Sequence, residues 1–215
     1  MESVLDRVIK QNTENVNLLK TKDYNIFSVL QIQSKEVLIC RMIADLLNPR
    51  GQHGAGAEYL KIFLRDCLGM EKMDTKLADQ AIVTAEYAID DERRIDIVIE
   101  IGSYFLPIEV KIYAADQKSQ CFDYYQYAKR RDAQAKVYYL TLDGHRPGKD
   151  STSSGSQSVP EEDIVCLSFR EHILNWLKAC KSCENTGMVP ILEQFIQNIE
   201  PVSYTHLRAH ETRHD

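Results

Sequence analysis

Apolar residues recur at a helical period of about 3.6 over residues 32–47 and stop at Asn48-Pro49, where the proline disfavours helical geometry in the residue before it. The spacing predicts a second helix over about 55–68, closed by Gly69. The period then shortens to two in three pieces, about 82–89, 94–101 and 104–112, as strands with one buried face require. A helix is expected over 114–130, and then 136–142, whose largely apolar run suits a strand in the middle of a sheet. Between His145 and Glu162, Ser, Gly, Pro and charge accumulate without a core-forming residue, which reads as a flexible loop. Residues 164–169 fit another strand, and 171–181 and 191–199 fit helices. No internal repeat is visible. The order of elements predicts an α/β fold over residues 1–200 as a single domain.

Composition narrows the class. A chain of 215 residues, 44% hydrophobic and 27% charged, buries roughly 70% of its unfolded surface and needs no disulfide or metal staple. The six cysteines are scattered beside apolar neighbours and read as buried reduced thiols; Cys180 and Cys183 form a Cys-x-x-Cys, but a zinc site would need a second pair of ligands. No stretch has the ~20 apolar residues of a membrane span, and a start with Glu2, Asp6 and Arg7 lacks the apolar core of a signal peptide. The expected location is the cytoplasm, with no membrane partner. A formal charge of -6 argues against a generally basic nucleic-acid binder, although a local patch or a cation held in an acidic site reverses that at one face.

Residues 201–215 break in composition from everything upstream. His206, His210 and His214 fall at i, i+4, i+8, a stripe that would suit a metal on a helix, but the segment looks like translated sequencing adaptor and is set aside as a non-native tail. Removing it takes away Arg208, Arg213, Glu211 and Asp215 and leaves the charge balance unchanged. The natural protein is then expected to continue past this point, with its own C-terminus missing.

The most informative stretch is the pair of strands joined by Gly102-Ser103, a glycine-first loop of the kind that closes tight hairpins. If that is the turn, cross-strand partners have numbers summing to 205: Ile101 faces Tyr104, Val98 faces Pro107, Asp96 faces Glu109 and Arg94 faces Lys111. The Val98 pair is then a non-hydrogen-bonded one, so Pro107 loses nothing to this partner by lacking an N–H. Asp96 and Glu109 would share one face with Lys111, while Ile95, Ile97, Ile99 and Ile101 carry the other face into the core. Two carboxylates about 5 Å apart repel by roughly 3 kcal/mol at an effective dielectric of ~20. A divalent cation between them offsets that, and an oxygen-only ligand set suits Mg²⁺ or Mn²⁺. The plainer reading is an exposed hairpin whose acids face water or pair with Arg93, Arg94 and Lys111.

Hydrolysis of a phosphodiester needs a metal to polarise the phosphoryl group and lower the pKa of a water, plus a cation for the nucleophile or the developing charge. Asp96, Glu109 and Lys111 meet that specification within a helix, three strands, a helix and a further strand. In this the sequence resembles the PD-(D/E)XK nuclease superfamily: Ile95-Asp96 stands at the first motif and Glu109-Val110-Lys111 at the second. Glu36, Leu46-Leu47-Asn48-Pro49 with His53-Gly54, and Gln120 with Tyr124 narrow the likeness to a bacterial branch, over about 25–200.

The resemblance implies a restriction-endonuclease-like core, a mixed central sheet flanked by helices in αβββαβ order. It implies a Mg²⁺- or Mn²⁺-dependent nuclease, endo- or exonucleolytic, acting on nucleic acid, DNA above all. Asp96 and Glu109 would ligate the metal with the Val110 carbonyl, Lys111 would orient or activate the attacking water, Glu36 would add a carboxylate, and Gln120 would reach the site or the substrate. The chain departs from the branch at Ile39-Cys40, where a His-Ser pair is usual, and at Ile95, where proline is usual. His53 fits a loop-shaping role better than a metal ligand. Lys129-Arg130-Arg131 either touches phosphates or serves a helix C-terminus. The alternative reading is a catalytically inactive module of the same fold that binds nucleic acid or regulates, and a third is a structural domain with surface salt bridges.

Overall fold

Two longer helices, α1 (Glu36–Leu47) and α2 (Glu58–Asp66), and the short helical turns Ile26–Val29 and Thr75–Ala78 precede the sheet in the computed structural model, which describes residues 24–71, 73–183 and 186–211. The acidic start expected to lack a signal peptide and the stripe residue His214 lie outside the described residues. The helical periodicity from Ile32 does not give one unbroken helix: Gln31 takes a left-handed φ of 52°, Ile32–Ser34 forms a 3-10 turn, and α1 begins only at Glu36. It closes at Asn48, extended ahead of Pro49 as the proline demands.

Strands β1 (Ile82–Ala88), β2 (Arg94–Ile101) and β3 (Tyr104–Lys111) form an antiparallel meander. Helix α3 (Gln120–Lys129) crosses over to β4 (Val137–Thr141), which pairs parallel to β3. A two-residue ribbon, β5 (Ser153–Ser154) and β6 (Gln157–Ser158), precedes β7 (Ile164–Ser168), parallel to β4. The result is a five-stranded mixed sheet in the order β1-β2-β3-β4-β7, the α/β class the sequence leads one to expect. Helix α4 (Leu174–Cys180) grows out of a π-helical turn, Phe169–Ile173, and α5 (Val189–Glu211) runs past the 191–199 expected into the segment set aside as tail.

The main core lies on one face of the sheet, where Ile97, Ile99, Ile101, Leu106, Ile108 and Val110 meet α1, α2, α4 and α5. Trp176 anchors it, edge-on to Phe63 at 5.4 Å and donating its indole N–H to the Tyr59 carbonyl at 2.8 Å. The opposite face is covered by α3 over a smaller cluster containing Ile95, Val98, Phe105, Tyr124 and Tyr139.

The hairpin register is as the turn predicts, with Gly102 at φ +57° and pairs running from Ile101–Tyr104 to Ile97–Ile108. There the ladder stops. The anticipated Asp96–Glu109 and Arg94–Lys111 pairs are not ladder pairs: the Val110 N–H goes to the Asp96 carboxylate instead of the β2 backbone, while on its other edge β3 continues to pair with β4, Glu109 opposite Tyr139 and Lys111 opposite Thr141. The assignment of Ile95 to the main core is also overturned. Glu86 takes a left-handed φ of 53°, and pairing of β1 with β2 skips Glu86 and Asp96 between Ala85–Ile97 and Tyr87–Ile95. This break reverses the alternation, so Ile95 and Tyr87 pack with the α3-side cluster while Ile97 and Ala85 stay with the main core.

Two further expectations fail. Residues 114–119 are not helical: α3 begins at Gln120, after Ser119 at φ +56°. Residues 145–162 are not a structureless loop either, since they hold a helical turn, Lys149–Thr152, the β5–β6 ribbon and the buried Ser151 and Val159. Ser151 Oγ accepts from the Cys121 N–H at 3.3 Å and the Asp150 carbonyl from the Ser119 N–H at 2.7 Å, so this excursion splices onto the start of α3.

Candidate active site

The break at Asp96 frees its side chain from the ladder, and the carboxylate takes up the bond the ladder leaves: Asp96 Oδ2 accepts from the Val110 N–H at 2.8 Å. Glu109 and Lys111, two residues apart on β3, project to the same face. Lys111 Nζ donates to Glu109 Oε1. Glu109 is 1% exposed and Lys111 8%, so this pair is buried, and Glu109 Oε2 lies buried with no hydrogen-bond partner among the described residues. Within the chain it can be satisfied only when Glu109 carries a proton and shares it with Asp96; with both acids ionised the oxygen needs a cation.

Electrostatics follow from that geometry. Burial, and then the charge of Asp96, push the Glu109 carboxyl up to about 8. Burial raises Asp96 as well, against the pull of the Val110 N–H and Lys111. For Lys111, burial opposes the charge, but the Glu109 carboxylate, with Asp96 and Glu36 behind it, holds the amine above its ordinary value. Cys40 on α1, in place of the serine of the resembling branch, is pushed well up by burial and then by Asp96, Glu36 and Glu109, so it stays a thiol.

Glu36 sits at the first turn of α1, and its Oε2 accepts from the N–H groups of Ile112 (2.7 Å) and Tyr113 (3.2 Å), pinning the chain just beyond Lys111. Gln120 is buried on α3, one turn from Tyr124; its amide donates to the Tyr124 hydroxyl at 3.0 Å, which donates in turn to the Arg94 carbonyl. The two residues therefore hold β2 next to Asp96 from behind. Among the described residues no three His, Cys, Asp or Glu side chains group as a metal cage. Asp96 and Glu109 could supply two carboxylates to a cation, and any further ligands would have to come from backbone oxygen, water or substrate. That set suits Mg²⁺, which keeps several waters and takes one or two carboxylates.

His53 is buried, its Nε2 against the Asn48 carbonyl at 2.9 Å and its Nδ1 accepting from the Ala55 N–H, with the ring stacked on Tyr59 at 4.8 Å. The basic trio after α3 is engaged in packing. Arg131 lies over Tyr127, Phe105 and Tyr87 and pairs with Glu100, Lys129 pairs with Asp163, and Arg130 lies over Tyr127. All six cysteines are free thiols.

Sequence reasoning missed two features at the mouth of the site. Arg93 ties the β1–β2 turn to the loop before α3 by donating to Asp123, Gln117 and the Lys118 carbonyl at 3.0, 2.9 and 2.6 Å. A cavity of about 360 Å³ opens beside Lys111, with Tyr139, Leu142, Asp143, His145 and Arg170 among its walls. The one available signal was the pair Asp143 and His145, two apart where the expected strand gives way to the stretch read as loop.

A mixed sheet that brings Asp96, Glu109 and Lys111 together on neighbouring strands defines a nuclease-like α/β class. Residues 24–197 match the family model of the PD-(D/E)XK nuclease superfamily, and the chain belongs to that superfamily. No curated protein and no solved structure matches it.

Proposed function

We propose that the protein is a Mg²⁺- or Mn²⁺-dependent nuclease that hydrolyses phosphodiester bonds of DNA in the cytoplasm. The observation that carries this reading is the buried Glu109 beside Asp96 and Lys111, whose Oε2 has no donor among the described residues: the two acids can both be ionised there only with a cation between them. When bound, a divalent cation polarises the phosphoryl group and lowers the pKa of water. Asp96 and Glu109 would hold it, with the Val110 carbonyl, and Glu36 fixes the end of β3 that carries Lys111. The Val110 N–H aims Asp96, and the Tyr124 and Gln120 relay keeps β2 in place, so the two carboxylates are preorganised rather than gathered on binding.

Lys111 is held charged by its acidic neighbours. A charged Lys111 would donate a hydrogen bond that orients the attacking water and stabilises charge developing on the phosphoryl oxygens. The free thiols fit a reducing compartment, and no helix among the described residues is long and apolar enough to cross a membrane.

The test is cleavage of labelled DNA in Mg²⁺ or Mn²⁺ by the wild type, Lys111→Ala and Asp96→Asn. The wild type should cut, and Lys111→Ala should lose at least about 10²-fold in kcat, the scale of a lost transition-state donor. A wild type that binds DNA without cutting it would make the chain a binding module, and equal activity in Lys111→Ala would remove the lysine from the chemistry.

A further inference from the structure

The cavity beside Lys111 opens at the C-terminal ends of β3, β4 and β7, the position at which open α/β sheets receive ligands. Its volume, about 360 Å³, is at the small end of the roughly 300–1,000 Å³ of ligand pockets, room for one nucleotide but not for a stacked base pair. Lys111 is among its lining residues, with Tyr113, Tyr139, His145, Leu142 and Ala115.

The wall is built rather than incidental. Tyr139 donates its hydroxyl to Asp116 Oδ1 at 2.7 Å, and Asp116 Oδ2 accepts from the Gly148 N–H at 2.7 Å, so the loop after β3 is tied across the cavity to the loop after β4. The His145 ring lies edge-on to Tyr139 at 6.2 Å, its Nδ1 2.6 Å from Asp143 Oδ1. Asp143 is fixed in turn by Thr141 Oγ1 and the His145 N–H. A carboxylate at Nδ1 places the proton there and leaves Nε2 for a ligand. Both acids of the cavity are thereby occupied, while the rings of Tyr113 and His145 remain more than half exposed, 52% and 58%.

We propose that this cavity takes a single unstacked nucleotide next to the scissile phosphate, its base against the exposed rings of Tyr113 and His145, with the buried Tyr139 backing the His145 ring, and its phosphate toward Lys111. The substrate is therefore single-stranded nucleic acid or a frayed end, not intact duplex. Stacking of one base on an aromatic wall is sequence-tolerant and is available only to a nucleotide outside a helix. The inference rests on the nuclease reading for the identity of the neighbouring phosphate.

The test measures binding of a short fluorescein-labelled single-stranded oligodeoxynucleotide and of its blunt duplex in EDTA by anisotropy, alongside cleavage of both in Mn²⁺. The proteins are the full chain as wild type, His145→Ala and Ala115→Trp. Ala115 is exposed, so the tryptophan fills the cavity without entering the core, and a thermal melt of each variant checks folding. The single strand should bind more tightly than the duplex, and each substitution should weaken it about tenfold, the scale of one lost base stack, with duplex binding unchanged. Equal affinity for duplex, or variants that bind like the wild type, overturns the pocket, as does a wild type that fails to bind the single strand. Cavity-dependent binding without cleavage would sink the nuclease reading and leave the pocket standing. Equally fast cleavage of both substrates by all three proteins would do the reverse.

Discussion

Replacing Glu109 by glutamine should make the metal-free protein more stable relative to wild type as the pH rises. The side chain keeps its shape and can still accept a bond from Lys111, but the charge facing Asp96 is gone. In the unfolded chain this carboxyl titrates near 4.5, and in the folded chain burial and Asp96 push it up to about 8. A folded-state value above the unfolded one means that the stability linked to the proton is fully present below pH 4.5 and is lost as the pH rises through 8. At 1.36 kcal/mol per pH unit, the loss between pH 4.5 and pH 7 is about 3 kcal/mol, which for a chain of this size moves the melting temperature by about 6–12 °C. Glu109→Gln has no such titration. Urea unfolding of both proteins in EDTA from pH 5 to pH 8 should therefore show the variant gaining on the wild type by about this amount. A difference that does not change with pH, or a wild type that gains on the variant as pH rises, would mean that Glu109 is an ordinary ion-paired carboxylate and would refute the reasoning.

Other outcomes follow from the same contacts. Tyr124→Phe removes the hydroxyl that joins Gln120 to the Arg94 carbonyl; leaving these buried groups unpaired should cost about 1–3 kcal/mol in urea unfolding and lower kcat more than it raises KM, and an unchanged kcat would show that the relay does not position β2. Glu36→Gln weakens the acceptor for Ile112 and Tyr113 but keeps its shape, so melting should drop by only a few degrees, whereas Glu36→Ala should cost about 1–3 kcal/mol; equal losses in the two would show that acceptance by this side chain is not what pins the loop. Arg131→Ala, which strips a cation from three aromatic rings, should destabilise by about 1–2 kcal/mol without changing cleavage, and a selective loss of DNA affinity would instead return this residue to phosphate binding.

The hairpin was legible because its signals are local and redundant. Gly102 supplies the positive φ of the turn, Pro107 tolerates only a pair in which it need not donate, and alternation fixes the face of Glu109 and Lys111. The break at Asp96 was not legible. It is made by a left-handed Glu86, a residue with no conformational preference for that region, whose guanidinium partner Arg41 (2.6 Å) lies on another element. Alternation therefore put Ile95 on the wrong face while leaving the acid pair correctly associated with Lys111. The start of α3 was misplaced for a similar reason: residues 114–119, with two alanines among polar side chains, are helix-compatible, and what delays the helix is a left-handed Ser119 bonded to the carbonyls of Asp150 and Ser153 some thirty residues on. The same bonds order the segment read as loop, where burial falls on Ser151 and Val159, too few apolar positions to register as a pattern. Tertiary partners decide in each case, and a single sequence does not display them.

The most direct measurement is calorimetric titration of Mn²⁺ into the wild type, Asp96→Asn and Glu109→Gln at pH 8 and low salt. Saturable binding by the wild type that is lost or weakened at least about tenfold in each variant, about 1.4 kcal/mol or more, is the expected result. Undiminished binding in both variants, or none in the wild type, would contradict the claim that these two acids lie side by side to hold a cation.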